Sequence, residues 1–246
     1  MQRLTALYQT TLGKKMVVAI SGLILYGFVL GHMLGNLKVF TESDAAGVPH
    51  IDIYAHFLRT MGEPLVPYSF LLWIARGILL VALVLHVYTV IVLAQRNHAA
   101  RQQDYSQHRY SQASSPARWM MVSGFLLLLF VIFHLLQFTF GKISGAPFVE
   151  GKVYANLYYA FQKWFFAALY VVAMAALALH INHGVWSLFQ TLGIDNPDRN
   201  RSFRLLATLS SIALFIGFAS VPVLFYLGLM PVPATGLATQ LSEGGM

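Results

Sequence analysis

The feature that most constrains this chain is a series of long apolar stretches, each long enough to cross a lipid bilayer as a helix. The first runs from Met16 to Leu34 without a formally charged side chain, and about 20 apolar residues span the hydrocarbon core. Of the 246 residues, 57% are hydrophobic and only 10% are charged, where soluble proteins average about a quarter charged. We therefore predict an all-α integral membrane protein with five transmembrane helices.

The apolar pattern predicts a single transmembrane domain over 1–230, followed by a flexible tail, 231–246. The predicted helices cover about 16–37, 69–94, 118–140, 163–190 and 205–230. Most of the 16 lysines and arginines fall in the segments on one side, which predicts a cytoplasmic N-terminus and a C-terminus outside. Between the first two helices, IDIYAHFLRTM indicates a short amphipathic surface helix.

Composition also excludes some classes of function. The net charge of +7 does not indicate nucleic-acid binding, because the basic residues lie in short loops between apolar spans. Cysteine is absent, which excludes disulfides and cysteine-ligated iron–sulfur clusters within this chain. Electron transfer by such a protein would need a bound cofactor.

Four of the nine histidines lie one each in the first four predicted helices, where an ionisable side chain is costly and usually functional. At about 1.5 Å of rise per residue, His32 lies about 25 Å and His134 about 22 Å above the cytoplasmic boundary. His86 and His180 each lie only about 15 Å in. The depths therefore predict an outer pair and an inner pair, with helix I opposite helix III and helix II opposite helix IV.

Two imidazoles that face each other at one depth in a four-helix bundle are typical of a bis-histidine haem site, because each neutral ring offers one nitrogen to iron. Two layers predict two haems b. A repeat supports this interpretation: Ser21-Gly22 and Ser123-Gly124 precede His32 and His134 by the same spacing. These small pairs lie about 16 Å lower on the same helix faces, where they would leave room for the inner haem.

Together these residues resemble a known family, the diheme cytochrome b membrane anchor of succinate dehydrogenases and fumarate reductases (respiratory complex II) with a single five-helix subunit. The motifs that carry the resemblance are GFVLGHMLGNLK, YAHFLRTMGEP, LVLHVY, FVIFHL and LALHINHGVWSLFQTLG. The resemblance implies that His32 and His134 ligate the outer haem, and that His86 and His180 ligate the inner haem.

The resemblance also implies a place in an enzyme complex of the bacterial cytoplasmic (inner) membrane. This chain alone would catalyse nothing. A flavoprotein subunit and an iron–sulfur subunit would dock on its cytoplasmic side, and the haems would relay electrons to a quinone, usually menaquinone. The whole complex could form a higher oligomer.

Further residues are candidates for contacts with the haems. The candidate partners of haem propionates or haem edges are Lys15, Ser21, Trp119, Ser123 and His183 at the inner haem, and Arg76 at the outer haem. Lys15 and Trp119 could equally anchor the helices in the headgroups, and Arg76 could instead snorkel to the surface.

The outer segment holds the candidates for the quinone site, His56, Arg59 and Glu63, for which a solvated surface is the alternative. Another position departs from the family. Some members carry a glutamate two residues before the helix IV ligand as part of a proton route, and Ala178 stands there in this chain.

Two alternatives to the complex II interpretation stay open. A diheme cytochrome b of another quinone-linked dehydrogenase, such as a hydrogenase or a formate dehydrogenase, would share the four histidines. A haem-free transporter could instead use the intramembrane histidines and arginine as a proton relay. Bound haem and the identity of co-purified subunits discriminate among the three.

Overall fold

The computed structural model describes residues 8–100, 115–143, 148–196 and 200–233, and within these ranges the ordered structure is helical, without a strand. The helices, in chain order, are α1 (Thr11–Asn36), α2 (His50–Thr60), α3 (Phe70–Ala99), α4 (Ser115–Phe138), α5 (Val153–Phe161), α6 (Trp164–Thr191) and α7 (Asn200–Tyr226). A 3-10 turn, Leu37–Phe40, continues α1. The all-α class is therefore confirmed for the described residues.

Five of these helices, α1, α3, α4, α6 and α7, are long and apolar enough to cross a membrane, with mean hydropathies of 2.0 to 2.6. Their number and order are those that the sequence predicts. The tail predicted over 231–246 lies outside the described residues from 234 onward, as does most of the basic loop between α3 and α4.

Some helix ends differ from the predicted ones, each for a local reason. α1 begins at Thr11, about a turn early, because the Thr10 hydroxyl accepts a hydrogen bond from the Gly13 N–H at 2.9 Å and caps the helix. α3 continues to Ala99 through a polar stretch that holds no glycine or proline. α7 ends at Tyr226, just before Gly228, whose φ of 68° terminates the helical path.

Two short helices close one end of the bundle. The amphipathic helix predicted between the first two spans is α2. The sequence did not predict α5, which buries Tyr154, Leu157 and Phe161 in an aromatic cluster with α7. The two helices are tied together where a carboxylate oxygen of Asp52 accepts the Tyr154 backbone N–H at 2.9 Å.

The long helices pack as two neighbouring pairs. α1 lies along α3 and α4 lies along α6, while α7 packs mainly on α6 and also touches α1. α1 contacts α6 less extensively, and no comparable backbone contact joins α3 to α4 or either diagonal pair, α1 with α4 and α3 with α6. Side chains, rather than close backbones, therefore meet along the two diagonals of the four-helix arrangement.

Candidate functional site

Two pairs of histidines meet along these diagonals. The ring centroids of His32 on α1 and His134 on α4 are 5.9 Å apart, with the ring planes at 82°. Those of His86 on α3 and His180 on α6 are 6.3 Å apart, at 61°. We call His32 and His134 the outer pair, because they lie toward the end of the bundle that carries α2 and α5, and we call the others the inner pair. These are the same two pairs that the rise per residue along the helices predicts from the sequence.

The spacing of both pairs suits one metal ion between the two rings. With a metal–nitrogen bond of about 2 Å and roughly 1.2 Å from each nitrogen to its ring centre, the centroids would be about 6.4 Å apart. Each ring can turn about its bond to the metal, so both interplanar angles are compatible with ligation. Among the described residues, no group of three or more His, Asp or Glu side chains could hold a metal ion. Each pair thus offers two imidazole nitrogens at this spacing.

The hydrogen bonds of His86 determine which of its nitrogens is free. Nδ1 lies 3.2 Å from the backbone oxygen of Val18 and 3.3 Å from the Ser21 hydroxyl. The backbone oxygen can only accept, so Nδ1 carries the proton and donates it. In this tautomer Nε2 keeps its lone pair, which is the state that a metal requires, and the partner on Nδ1 fixes the orientation of the ring.

His180 has an equivalent partner on the other helix pair. The Ser123 hydroxyl donates to the Met120 backbone oxygen at 3.0 Å and lies 3.5 Å from His180 Nδ1, as an acceptor. Both serines are buried, at 4% exposed for Ser21 and 3% for Ser123. The repeated Ser-Gly pairs thus contact the imidazoles of the inner pair themselves.

The glycine after each serine makes room for the same ring. A Cβ at Gly22 would lie 3.2 Å from His86 Cε1, and one at Gly124 would lie 3.4 Å from His180 Cε1. Each histidine of the inner pair therefore packs against bare backbone of the helix beside its own.

The outer pair has different surroundings. His134 Nδ1 lies 3.0 Å from the Tyr170 hydroxyl, which donates to Gln137 Oε1 at 2.8 Å. The phenol oxygen can therefore accept from Nδ1, and Nε2 is again left free. His32 is held by rings instead: it stacks on Phe28 at 5.2 Å between centroids and lies 5.9 Å from Phe218.

Several buried polar atoms near the pairs lack a hydrogen-bond partner among the described residues. They include Thr89 Oγ1, His183 Nδ1, Trp186 Nε1 and Gln137 Nε2. Thr89, Gln137 and His183 each follow a paired histidine by three residues, which is about one helical turn. An unpaired buried donor is costly, so these atoms lie where a polar group of a bound ligand would be stabilised.

Three of the residues predicted near haem carboxylates lie on exposed surface. Arg76 is exposed, with its guanidinium 4.8 Å from the centre of the Trp73 ring. Lys15 is exposed as well, and Trp119 is 52% exposed. His183 is partly buried, on α6 one turn from His180.

The predicted quinone-site residues lie on or just after α2. His56 and Glu63 are exposed, and the partly buried Arg59 donates to the Ala55 backbone oxygen at 3.0 Å. A neighbouring face of α2 borders an open, mostly apolar cavity of about 600 Å³. The residues that line it are Lys38, His50, Ile53, Tyr54 and Phe57.

Gly27, Gly31 and Gly35 recur at four-residue steps along α1, and one of them faces a close contact. A Cβ at Gly35 would lie 2.6 Å from Tyr54 Cε1, whereas nothing described lies within 4 Å of such an atom at Gly27 or Gly31. Of these three glycines, Gly35 is the one that lies against the outer helix α2.

Sequence reasoning missed Tyr170, Gln137, Thr89 and Trp186. A signal for Tyr170 was available, because it precedes His180 by ten residues and so lies about 15 Å further out, at the level of the outer pair. The spacing of three from a paired histidine could have indicated Thr89 and Gln137.

Comparison with models of protein families, with curated proteins and with solved structures finds no match for this chain.

Proposed function

We propose that this chain is a diheme cytochrome b, the membrane-anchor and electron-transfer subunit of a succinate:quinone oxidoreductase. The observation that carries the proposal is the presence of two diagonal histidine pairs with centroids 5.9 and 6.3 Å apart. When bound, each haem b supplies a one-electron redox centre. The chain's own residues hold two such centres at different depths, since Ser21, beside the inner pair, lies about 16 Å along α1 from His32.

The donor chemistry suits haem ligation. The Nδ1 atoms of three paired histidines are hydrogen-bonded to oxygens of the protein, which leaves the Nε2 atom of each of these rings free to ligate a metal. Ring pairs at the spacing of one metal ion, with Nε2 left free on His86, His180 and His134, suit bis-imidazole ligation.

The carboxylates of an inner haem would find donors one turn from the inner pair. Thr89 on α3 and His183 on α6 follow His86 and His180 by three residues, and both carry buried polar atoms without a partner. Trp186 lies a further turn along α6, with the Arg204 guanidinium 4.1 Å from the centre of its ring. An anionic edge at this end of the site would satisfy these donors and neutralise the nearby positive charge.

Ser21 and Ser123 have a different part in the proposed site. Their hydroxyls contact the imidazoles of the inner pair, which makes them partners of the ligands. Lys15 and Trp119 serve as headgroup anchors in this arrangement. Arg76 reaches a carboxylate of the outer haem only if it leaves the face of Trp73.

The assignment to complex II rests on the resemblance of the motifs around the four histidines. In this proposal the N-terminus is cytoplasmic, and the basic loops between α3 and α4 and between α6 and α7 dock the iron–sulfur subunit, which carries the flavoprotein. Electrons would pass from the inner to the outer haem and then to a quinone, menaquinone in this type. The quinone would bind near α2, where His56, Arg59 and Glu63 offer proton donors and acceptors beside an open, mostly apolar depression.

The test is the redox difference spectrum of the purified protein, together with electron paramagnetic resonance (EPR). The proposal predicts two low-spin b-type components per chain, and a spectrum without bis-histidine haem would contradict it. Co-purified subunits then identify the complex. A flavoprotein that oxidises succinate supports complex II, whereas a nickel or molybdenum protein would assign the chain to another quinone-linked dehydrogenase.

A further inference from the structure

A buried hydrogen-bonded chain of three side chains stands behind one histidine of the outer pair. It runs from His134 Nδ1 to the Tyr170 hydroxyl, at 3.0 Å, and from that hydroxyl to Gln137 Oε1, at 2.8 Å. Tyr170 is 8% exposed and Gln137 is fully buried. Because these side chains are buried from solvent, the protein itself determines which group donates and which accepts in each of the two hydrogen bonds.

The amide of Gln137 sets that direction. Its carbonyl oxygen accepts a hydrogen bond from the Tyr170 hydroxyl, which leaves the phenol oxygen to accept a hydrogen bond from the His134 Nδ1–H group. If the acceptor at position 137 were lost, the phenol would have no partner for its proton except Nδ1. That arrangement would favour a proton on Nε2, the tautomer that cannot bind a metal.

The surrounding aromatic rings hold the phenol in place. The Tyr170 ring lies 4.9 Å from the Phe130 ring and 5.0 Å from the Phe161 ring, between centroids. Such edge-to-face contacts stabilise this position of the ring. The hydroxyl is therefore presented to His134 with little freedom to move away.

This hydrogen-bonded chain contacts only one of the four paired histidines, His134. The inner pair is held by serine hydroxyls and a backbone oxygen, and His32 is held between aromatic rings. A change at Tyr170 or Gln137 should therefore act on the outer site and spare the inner site.

We propose that Tyr170 and Gln137 are positioning residues that keep His134 in the Nε2-ligating tautomer and lower the redox potential of the outer haem. This inference rests on the proposed function. Donation from Nδ1 makes an imidazole a more basic ligand, and a more basic ligand stabilises ferric over ferrous iron. Without its acceptor, His134 would be a weaker donor and the outer potential would rise.

The first test compares Tyr170→Phe with the wild type by potentiometric titration followed optically and by EPR. The component that disappears in His134→Ala identifies the outer haem. If the loss of this partner reduces the preference for ferric iron about tenfold, the outer midpoint rises by about 59 mV. The inner midpoint stays unchanged.

Tyr158→Phe is the matched control. Tyr158 also belongs to the aromatic cluster, with its ring 5.5 Å from Tyr159 and 5.9 Å from Phe225. Removal of its hydroxyl should leave both midpoints and both EPR signals as in the wild type. An equal shift in Tyr158→Phe and Tyr170→Phe, or no shift in Tyr170→Phe, would overturn the inference.

Variants at position 137 test the direction of the chain. Gln137→Leu removes the acceptor and should cause partial loss of the outer haem, whereas Gln137→Glu keeps an oxygen there and should retain it. The double variant Tyr170→Phe/Gln137→Leu should behave like Tyr170→Phe alone, because the phenol proton that needs Gln137 is gone. Additive effects would show that the two residues act independently and would contradict the proposed chain.

The two proposals fail in different ways. If the wild-type protein shows no bis-histidine haem, the proposed function is wrong. If both haems are present but the outer signal does not respond to Tyr170→Phe, only the positioning role is wrong.

Discussion

Ser21 holds the imidazole of His86 from a neighbouring helix. Its hydroxyl oxygen lies 3.3 Å from Nδ1, and the next residue, Gly22, leaves space for the same ring, since a Cβ there would lie 3.2 Å from Cε1. Ser123 and Gly124 do the same for His180. A short motif, repeated once in the chain, thus orients both histidines of the inner pair.

Gly22→Val should disturb the inner site selectively. Its Cβ would lie 3.2 Å from His86 Cε1, and overpacking of this kind typically costs about 1–3 kcal/mol. We expect loss or altered EPR of the inner haem, with the outer haem retained. Gly27→Val is the control, because it introduces the same residue into the same helix where nothing lies within 4 Å of a Cβ. Equal effects of the two variants would contradict the contact.

Gly35→Ala should loosen the outer helix α2. The new methyl group would lie 2.6 Å from the Tyr54 ring, so Tyr54 must move, at a cost of about 1–3 kcal/mol. Gly31→Ala has open space at that atom and should be neutral or stabilising by up to about 1 kcal/mol, because alanine favours the helix. Limited proteolysis of the segment around α2 measures the difference. Faster cleavage in Gly31→Ala than in Gly35→Ala would contradict the contact between Gly35 and Tyr54.

The Thr89→Val variant tests whether the Thr89 hydroxyl binds a ligand or has no hydrogen-bond partner at all. Valine keeps the shape and removes the buried Oγ1, which has no partner among the described residues. If Thr89 donates to a carboxylate of the inner haem, the variant should lose stability by about 1–3 kcal/mol and retain less inner haem. A rise in melting temperature with unchanged haem content would mean that the hydroxyl has no such partner.

The stability that Asp52 contributes to the contact between α2 and α5 should decrease as pH rises. Burial raises the pKa of this carboxyl above its ordinary 3.8, and the Tyr154 and Val153 N–H groups and Lys152 act in the opposite direction with smaller effect. The folded protein therefore binds the proton more tightly than the unfolded chain does. The contribution of Asp52 is fully present below about pH 4 and is lost as pH rises through the raised pKa.

The Asp52→Asn variant tests this sign. Asparagine keeps an oxygen acceptor for the Tyr154 N–H without a titrating charge. The melting temperature of Asp52→Asn relative to the wild type should therefore increase between about pH 4 and pH 7. A difference that decreases over this range would reverse the sign of the linkage. Asp52→Ala, which leaves the N–H unpartnered, should be less stable than Asp52→Asn throughout.

The sequence predicted the histidine pairs because a helix has a fixed rise per residue. Once the spans are placed, depth alone groups His32 with His134 and His86 with His180. The contacts of Tyr170 and Gln137 depend instead on how each helix is rotated. α4 and α6 are apolar on nearly all sides, so their sequences carry little information about rotation. The helix α5 was missed for a related reason, since its nine residues are ordered by packing on α2 and α7.

Redox titration of the wild type beside His134→Ala and His86→Ala, with optical and EPR detection, tests the assignment of the four ligands. We expect two b-type components in the wild type. We expect His134→Ala to lose only the outer component and His86→Ala to lose only the inner one. An unchanged spectrum in either variant, or a wild-type protein without bis-histidine haem, would contradict this assignment.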